Sequence, residues 1–154
     1  MQLTDILSPD CVVVPLVADD KQSAIFQLAE RVCDSAGIDD VEAFKAAIWQ
    51  RETTRSTGFG YGVAAPHHRV DVISRVHMAL GVAATPIDFD AVDKMPVDLI
   101  AVIASPTGEP KAHIDALSRI SRMFVEERVR DTLRAQDSPE ALYAAVKELE
   151  AAVA

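Results

Sequence analysis

Val97 to Ser105 reads VDLIAVIAS, the longest apolar run in the chain, broken by Asp98 alone. It is far shorter than the ~20 residues that a membrane span needs. It is rich in Val and Ile, and it lies between Pro96 and the turn sequence SPTGEP, so it reads as a buried strand at the centre of its sheet. Upstream, Val76, Met78, Leu80 and Val82 alternate, which predicts a half-buried strand. The stretch TPIDFDAVDKMP between the two is a polar connection with Pro at both ends. Val12 to Val14, ending at Pro15, predict another short buried strand. Three helical patterns are clear. Asp19 or Asp20 caps a helix that buries Ile25, Leu28, Ala29, Val32 and Cys33 and stops at Gly37. Asp39 or Asp40 caps a second, with Val41, Phe44 and Ile48 on one face, ending near Arg51. Ile114, Leu117, Ile120, Ser121 and Phe124 mark a third, with His113 in its first turn. Val129 and Leu133 predict a short helix. Ser138 followed by Pro139 opens the last one, in which Leu142, Val146, Leu149 and Val153 share a face. Helices and strands alternate, so the fold class is α/β (α+β): a sheet with helices on both faces.

The 154 residues, 49% hydrophobic and 25% charged, suit one domain spanning 1–154 with a real core. The formal net charge of −9 argues against nucleic acid and anionic membranes as partners. The opening MQLTDILSPD lacks a basic segment and a long apolar one, so the expected location is the cytoplasm. Cys11 and Cys33 sit in apolar surroundings without a CxxC and read as buried, reduced thiols.

The charge is uneven. Between Arg51 and His77 four arginines (Arg51, Arg55, Arg69, Arg75) stand against Glu52 and Asp71, so this segment is cationic within an acidic chain. It contains RETTRSTGFGYGVAAPHHRV, a loop or irregular strand punctuated by Gly58, Gly60 and Gly62 and closed by Pro66. Glycines let main-chain N–H groups approach an anion. Arg51 offers a planar fork of donors to phosphate oxygens. His113, at a helix start, lies where free N–H groups favour an anion. An imidazole is largely neutral near pH 7 and can attack without an added base. His67 follows Pro66. His68 points the other way if the segment is extended. His77, between Val76 and Met78 in a strand, reads as structural.

The string STGFGYGVAAPHHRV, preceded by RETTR, resembles the active-site segment of the mannitol/fructose-class enzyme IIA domains of the phosphotransferase system (EIIA type 2). PIDFDAVDKMPVDLIAVIASP followed by HIDALSRISRMF is similar to that family's later strand, loop and second-histidine helix. The likeness runs from about Leu3 to Leu149. FDAVD and PVDLI look nearer the nitrogen-regulatory branch than the sugar-transporting one. The resemblance implies a single domain with a central mixed sheet flanked by helices. It puts the phosphorylated histidine at His67, the active-site arginine at Arg51, the supporting histidine at His113, and the phosphate-side turn at Ser56, Thr57 and Gly58. The chain departs from the family pattern at Arg55, Ala65 and His68, which bears on partner choice more than on chemistry.

What this implies is a phosphohistidine carrier that takes its phosphoryl group from an HPr-like protein. It then relays the group to a permease component or signals by its phosphorylation state, with nitrogen-type regulation expected over sugar transport. No cofactor and no metal is called for. Two alternatives stand beside it. One is a docking module of the same fold in which transfer is vestigial. The other is a zinc enzyme using His67, His77 and His113, which lacks an HExxH spacing.

Overall fold

The apolar stretch Val97–Pro106 is the sixth strand of the computed structural model, which describes residues 1–153. In chain order the elements are α1 (Leu3–Ile6), β1 (Leu7–Leu16), α2 (Lys21–Ala36), α3 (Val41–Thr54), β2 (Gly58–Gly60), β3 (Val63–Ala64), β4 (His67–Val70), β5 (His77–Ile87), β6 (Val97–Pro106), α4 (Pro110–Phe124), α5 (Glu127–Arg134) and α6 (Pro139–Val153). The sheet order is β1-β5-β6-β3-β2, and β4 also pairs with β6. β6 runs antiparallel to β5 and parallel to both β3 and β4. It is therefore the central strand, hydrogen-bonded on both edges. From Leu99 to Pro106 it has no exposed residue, which explains its continuous apolar sequence.

Strand alternation sorts the sheet into two faces. Gly81 pairs with Ile100, and a Cβ on Gly81 would meet the Leu28 side chain of α2 at 3.1 Å. The face of Ile100, Val102 and Ala104 therefore looks toward α2. Ile103 and Ser105 look toward the other side, where the Ser105 hydroxyl meets His113 of α4. Helices cover both faces, and the fold is a single mixed sheet with helical flanks.

The helix ends follow their caps. Asp20 Oδ1 accepts from the Ser23 amide at 2.8 Å, and Gly37 closes α2 at φ +74°. Asp40 Oδ1 accepts from the Ala43 amide at 3.0 Å.

Several expectations are revised. β5 is not half-buried. His77 through Ala83 are all buried, because β5 lies between β1 and β6 under helices on both sides. β1 reaches from Leu7 to Leu16, well beyond Val12–Val14, since pairing with β5 carries polar Ser8 and Asp10 along. α3 continues three residues past Arg51 to Thr54. The buried stripe of α4 is His113, Ala116, Ile120, Met123 and Phe124, while Ile114 is 60% exposed and Ser121 faces solvent. The connection before β6 is polar in sequence, yet Phe89 and Ala91 are buried and anchor it. Val153 lies in α6, but its side chain falls outside the described residues.

Candidate active site

Pairing of β4 with β6 settles which way the two adjacent histidines point. His67 pairs with Ile103 and Arg69 with Ser105, so both stand on the α4 side. His68 pairs with Ala104 and points to the opposite face, where its ring lies 5.8 Å from that of Phe44 in α3, edge to face. His77 pairs with Ala104 from the other edge and so shares the face of His68. His67, His77 and His113 do not converge, and among the described residues no three His, Cys, Asp or Glu side chains are grouped to hold a metal.

His67 and His113 do converge. Their ring centroids are 5.2 Å apart at an interplanar angle of 60°. His113 is 4% exposed, held by α4 and by a 2.7 Å contact between its Nδ1 and the Ser105 hydroxyl. His67 is half-buried, and its Nδ1 lies 2.8 Å from the Ala65 carbonyl oxygen. A carbonyl can only accept, so Nδ1 of His67 carries the proton and donates. The lone pair is left on Nε2. Burial lowers the His67 pKa, with the Arg51 and Arg69 cations adding to the effect against the opposing Ala65 hydrogen bond. Burial, then the charges of His67 and Arg69, push His113 down to about 4. Both rings are therefore neutral at pH 7.

A cleft of about 340 Å³ opens beside His67, lined also by Arg51, Arg55, Thr57, Leu117 and Ser121. Arg51 is exposed on the last turn of α3. Its Nη1 donates to the Arg55 carbonyl at 2.9 Å, and among the described residues it forms no ion pair. Leu117 and Ser121 of α4 line this cleft, and His113, four residues before Leu117 in the first turn of the helix, meets His67 through its ring.

Ser56, Thr57 and Gly58 wall the cleft, but the Thr57 and Gly58 amides and both hydroxyls are already engaged. Glu52 accepts from both the amide and the hydroxyl of Thr57. The Ser56 hydroxyl donates to the Phe89 carbonyl at 2.7 Å and accepts from the Gly58 amide at 3.0 Å. The turn is thus pinned to Glu52 of α3 and to Phe89, which takes the Thr57 and Gly58 amides out of play for an anion. Gly58 is needed for closeness. A Cβ there would sit 2.8 Å from the Ala91 Cβ and 3.1 Å from its Cα.

Glu52 is the residue that sequence reading passed over. It is 2% exposed and pairs with Lys21 Nζ at 2.9 Å. Its spacing gave the signal, since it continues the Phe44, Ile48 stripe of α3 by one more step of four. Ser105 was also missed, and nothing in its strand context marks it.

Residues 5–149 match the family described as "Phosphoenolpyruvate-dependent sugar phosphotransferase system, EIIA 2", and the chain belongs to that family. It is 31% identical over 143 residues to a nitrogen regulatory protein of Bradyrhizobium diazoefficiens, covering 93% of each chain. It is also 31% identical to the fructose-specific EIIABC component of Bacillus subtilis, covering 92% of this chain and 22% of that longer one. Among solved structures it is similar to the nitrogen regulatory protein IIA-Ntr of Neisseria meningitidis. The TM-score is 0.86 at 25% identity, covering 94% of this chain and 98% of the other.

Proposed function

We propose that this protein is a phosphohistidine carrier in which Nε2 of His67 takes a phosphoryl group from an HPr-like protein. The observation that carries the reading is the held tautomer of His67. Its Nδ1–H is tied to the Ala65 carbonyl, which leaves the Nε2 lone pair free beside Arg51 and His113. In the transfer, the Nε2 lone pair forms the new N–P bond as the donor histidine's N–P bond breaks, and the donor imidazole leaves with that electron pair. The step needs positioning and charge neutralisation more than acid–base chemistry. Arg51 supplies a fork for two phosphoryl oxygens, and His113 a hydrogen bond to a third. Ser56, Thr57 and Gly58 shape the pocket wall that receives the group.

The rim suits a protein donor. Val92, 74% exposed, and Leu117, partly exposed, are on the cleft wall, and Ile114, 60% exposed, lies three residues before Leu117 on α4, so apolar side chains lie beside a charged centre. Full-length likeness to nitrogen regulatory proteins supports signalling by phosphorylation state over relay to a sugar permease. Such a carrier works in the cytoplasm, where phosphoenolpyruvate and its upstream carriers are found. Among the described residues no helix is long and apolar enough to cross a membrane.

The test is incubation with phosphoenolpyruvate and the general phosphotransferase proteins, followed by intact mass measurement. The mass should rise by a single phosphoryl group, and the gain should be lost on return transfer to an unphosphorylated carrier. A protein that folds, binds the HPr-like donor and gains no mass is a docking module instead.

A further inference from the structure

The partners of the two site histidines have opposite hydrogen-bonding polarity. His67 Nδ1 faces a carbonyl oxygen, which accepts only. His113 Nδ1 faces a serine hydroxyl, which can do either. Ser105 is fully buried at the end of β6, and its side chain stands on the face toward α4. Among the described residues its hydroxyl has no hydrogen-bond partner other than His113 Nδ1. If Nδ1–H donated to Ser105, the buried hydroxyl proton would have nowhere to go. A buried donor left without an acceptor is the costly arrangement. The alternative satisfies both groups: the hydroxyl donates and Nδ1 accepts.

We infer that Ser105 is a positioning residue whose hydroxyl fixes His113 as the Nε2–H tautomer, so that His113 presents a donor, not a lone pair, to a phosphoryl group on His67. This rests on the phosphocarrier reading for its purpose, but the tautomer is a property of the unphosphorylated protein. One pocket then holds two neutral imidazoles in opposite tautomers, 5.2 Å apart. His67 is a bare nucleophile at Nε2, and His113 is a hydrogen-bond donor at Nε2. With the wrong tautomer, His113 would aim a lone pair at phosphoryl oxygens and repel them. A neutral donor also avoids placing a buried cation beside Arg51 and Arg69.

Long-range ¹H–¹⁵N NMR of the imidazole nitrogens, on the unphosphorylated protein, tests this directly. The wild type should show His113 with its proton on Nε2 and His67 with its proton on Nδ1. Ser105→Ala should leave His67 unchanged and turn His113 into a mixture of both tautomers. Ser105→Thr keeps the hydroxyl and should restore the wild-type His113 pattern, which separates tautomer control from packing. In transfer assays with phosphorylated HPr-like donor, Ser105→Ala should slow uptake about tenfold, with Ser105→Thr near wild type. A wild-type His113 with its proton on Nδ1, or an unaltered tautomer in Ser105→Ala, overturns the inference. Because the NMR readout needs no phosphate, it stands apart from any failure of His67 to be phosphorylated.

Discussion

Arg51 is the residue whose chemistry cannot be shared out. It sits on the cleft rim, anchored through one nitrogen to the Arg55 carbonyl and without a carboxylate partner among the described residues. Lysine at this position keeps the charge and loses the planar fork. A hydrogen bond to a charged group contributes roughly 1.5–3 kcal/mol, so Arg51→Lys should slow phosphoryl uptake by about 10- to 100-fold while the protein folds normally. Stopped uptake kinetics with purified donor would measure it, and wild-type rates in Arg51→Ala would assign the phosphate to Arg55 or Arg69.

His113 carries a second residue-scale consequence. Its folded pKa is about 4, whereas a histidine in the unfolded chain titrates near 6.5. Between these values the unfolded state binds more protons, so stability falls as pH falls. The contribution is complete above about pH 6.5 and lost by about pH 4, amounting to roughly 3 kcal/mol at 1.36 kcal/mol per pKa unit. Urea unfolding of His113→Gln should show a flatter pH dependence across that window than the wild type. Equal slopes would mean that His113 is not held neutral by burial.

At the scale of elements, the site depends on how α3, the Ser56–Gly58 turn and the connection before β6 are joined. Glu52 and Lys21 join them: Glu52 of α3 accepts from the Thr57 amide and hydroxyl and pairs with Lys21 of α2, whose Nζ also donates to the Phe89 carbonyl in the connection. Removing one partner of a buried ion pair costs about 3–5 kcal/mol when both are fully buried. Lys21 keeps some exposure, so Glu52→Ala should cost roughly 2–4 kcal/mol in denaturant unfolding and loosen the turn. Gly58→Ala should cost about 1–3 kcal/mol, because the added methyl meets Ala91 backbone as well as its side chain.

Much of this scale was legible beforehand. β6 announced itself by an apolar run interrupted at Asp98 alone, and α2 and α3 by their aspartate caps; the opposed directions of His67 and His68 were expected on condition that the segment is extended, and β4 meets it. The misses share a cause. β5 and the buried stripe of α4 depend on what packs against them, and local alternation cannot report a second covering layer. The nest reading of the loop punctuated by Gly58, Gly60 and Gly62 rested on permissive backbone, which does not tell where the N–H groups of Thr57 and Gly58 point. Here they point at Glu52 and Ser56. Ser105 was silent because a serine ending an apolar strand has no pattern of its own until His113 is placed beside it.

For the whole molecule, the two ends of the chain are tied through Glu150 of α6. It is 1% exposed and accepts from the amides of Leu3 and Thr4, with Arg119 of α4 3.5 Å away. Glu150→Ala leaves two helix-start amides and Arg119 without their carboxylate, and should cost roughly 2–4 kcal/mol without altering the His67 tautomer. Thermal unfolding with imidazole NMR on the same variant checks both halves of that statement. The central claim for the molecule is that its phosphate travels on one atom, Nε2 of His67. ³¹P–¹⁵N coupling, measured on histidine-labelled protein phosphorylated through its upstream carriers, reads that atom directly. The coupling is predicted at Nε2 of His67 alone, and the His67→Ala protein should carry no phosphate. Phosphorus bonded to Nδ1 of His67, or to His68 or His113, would contradict the account.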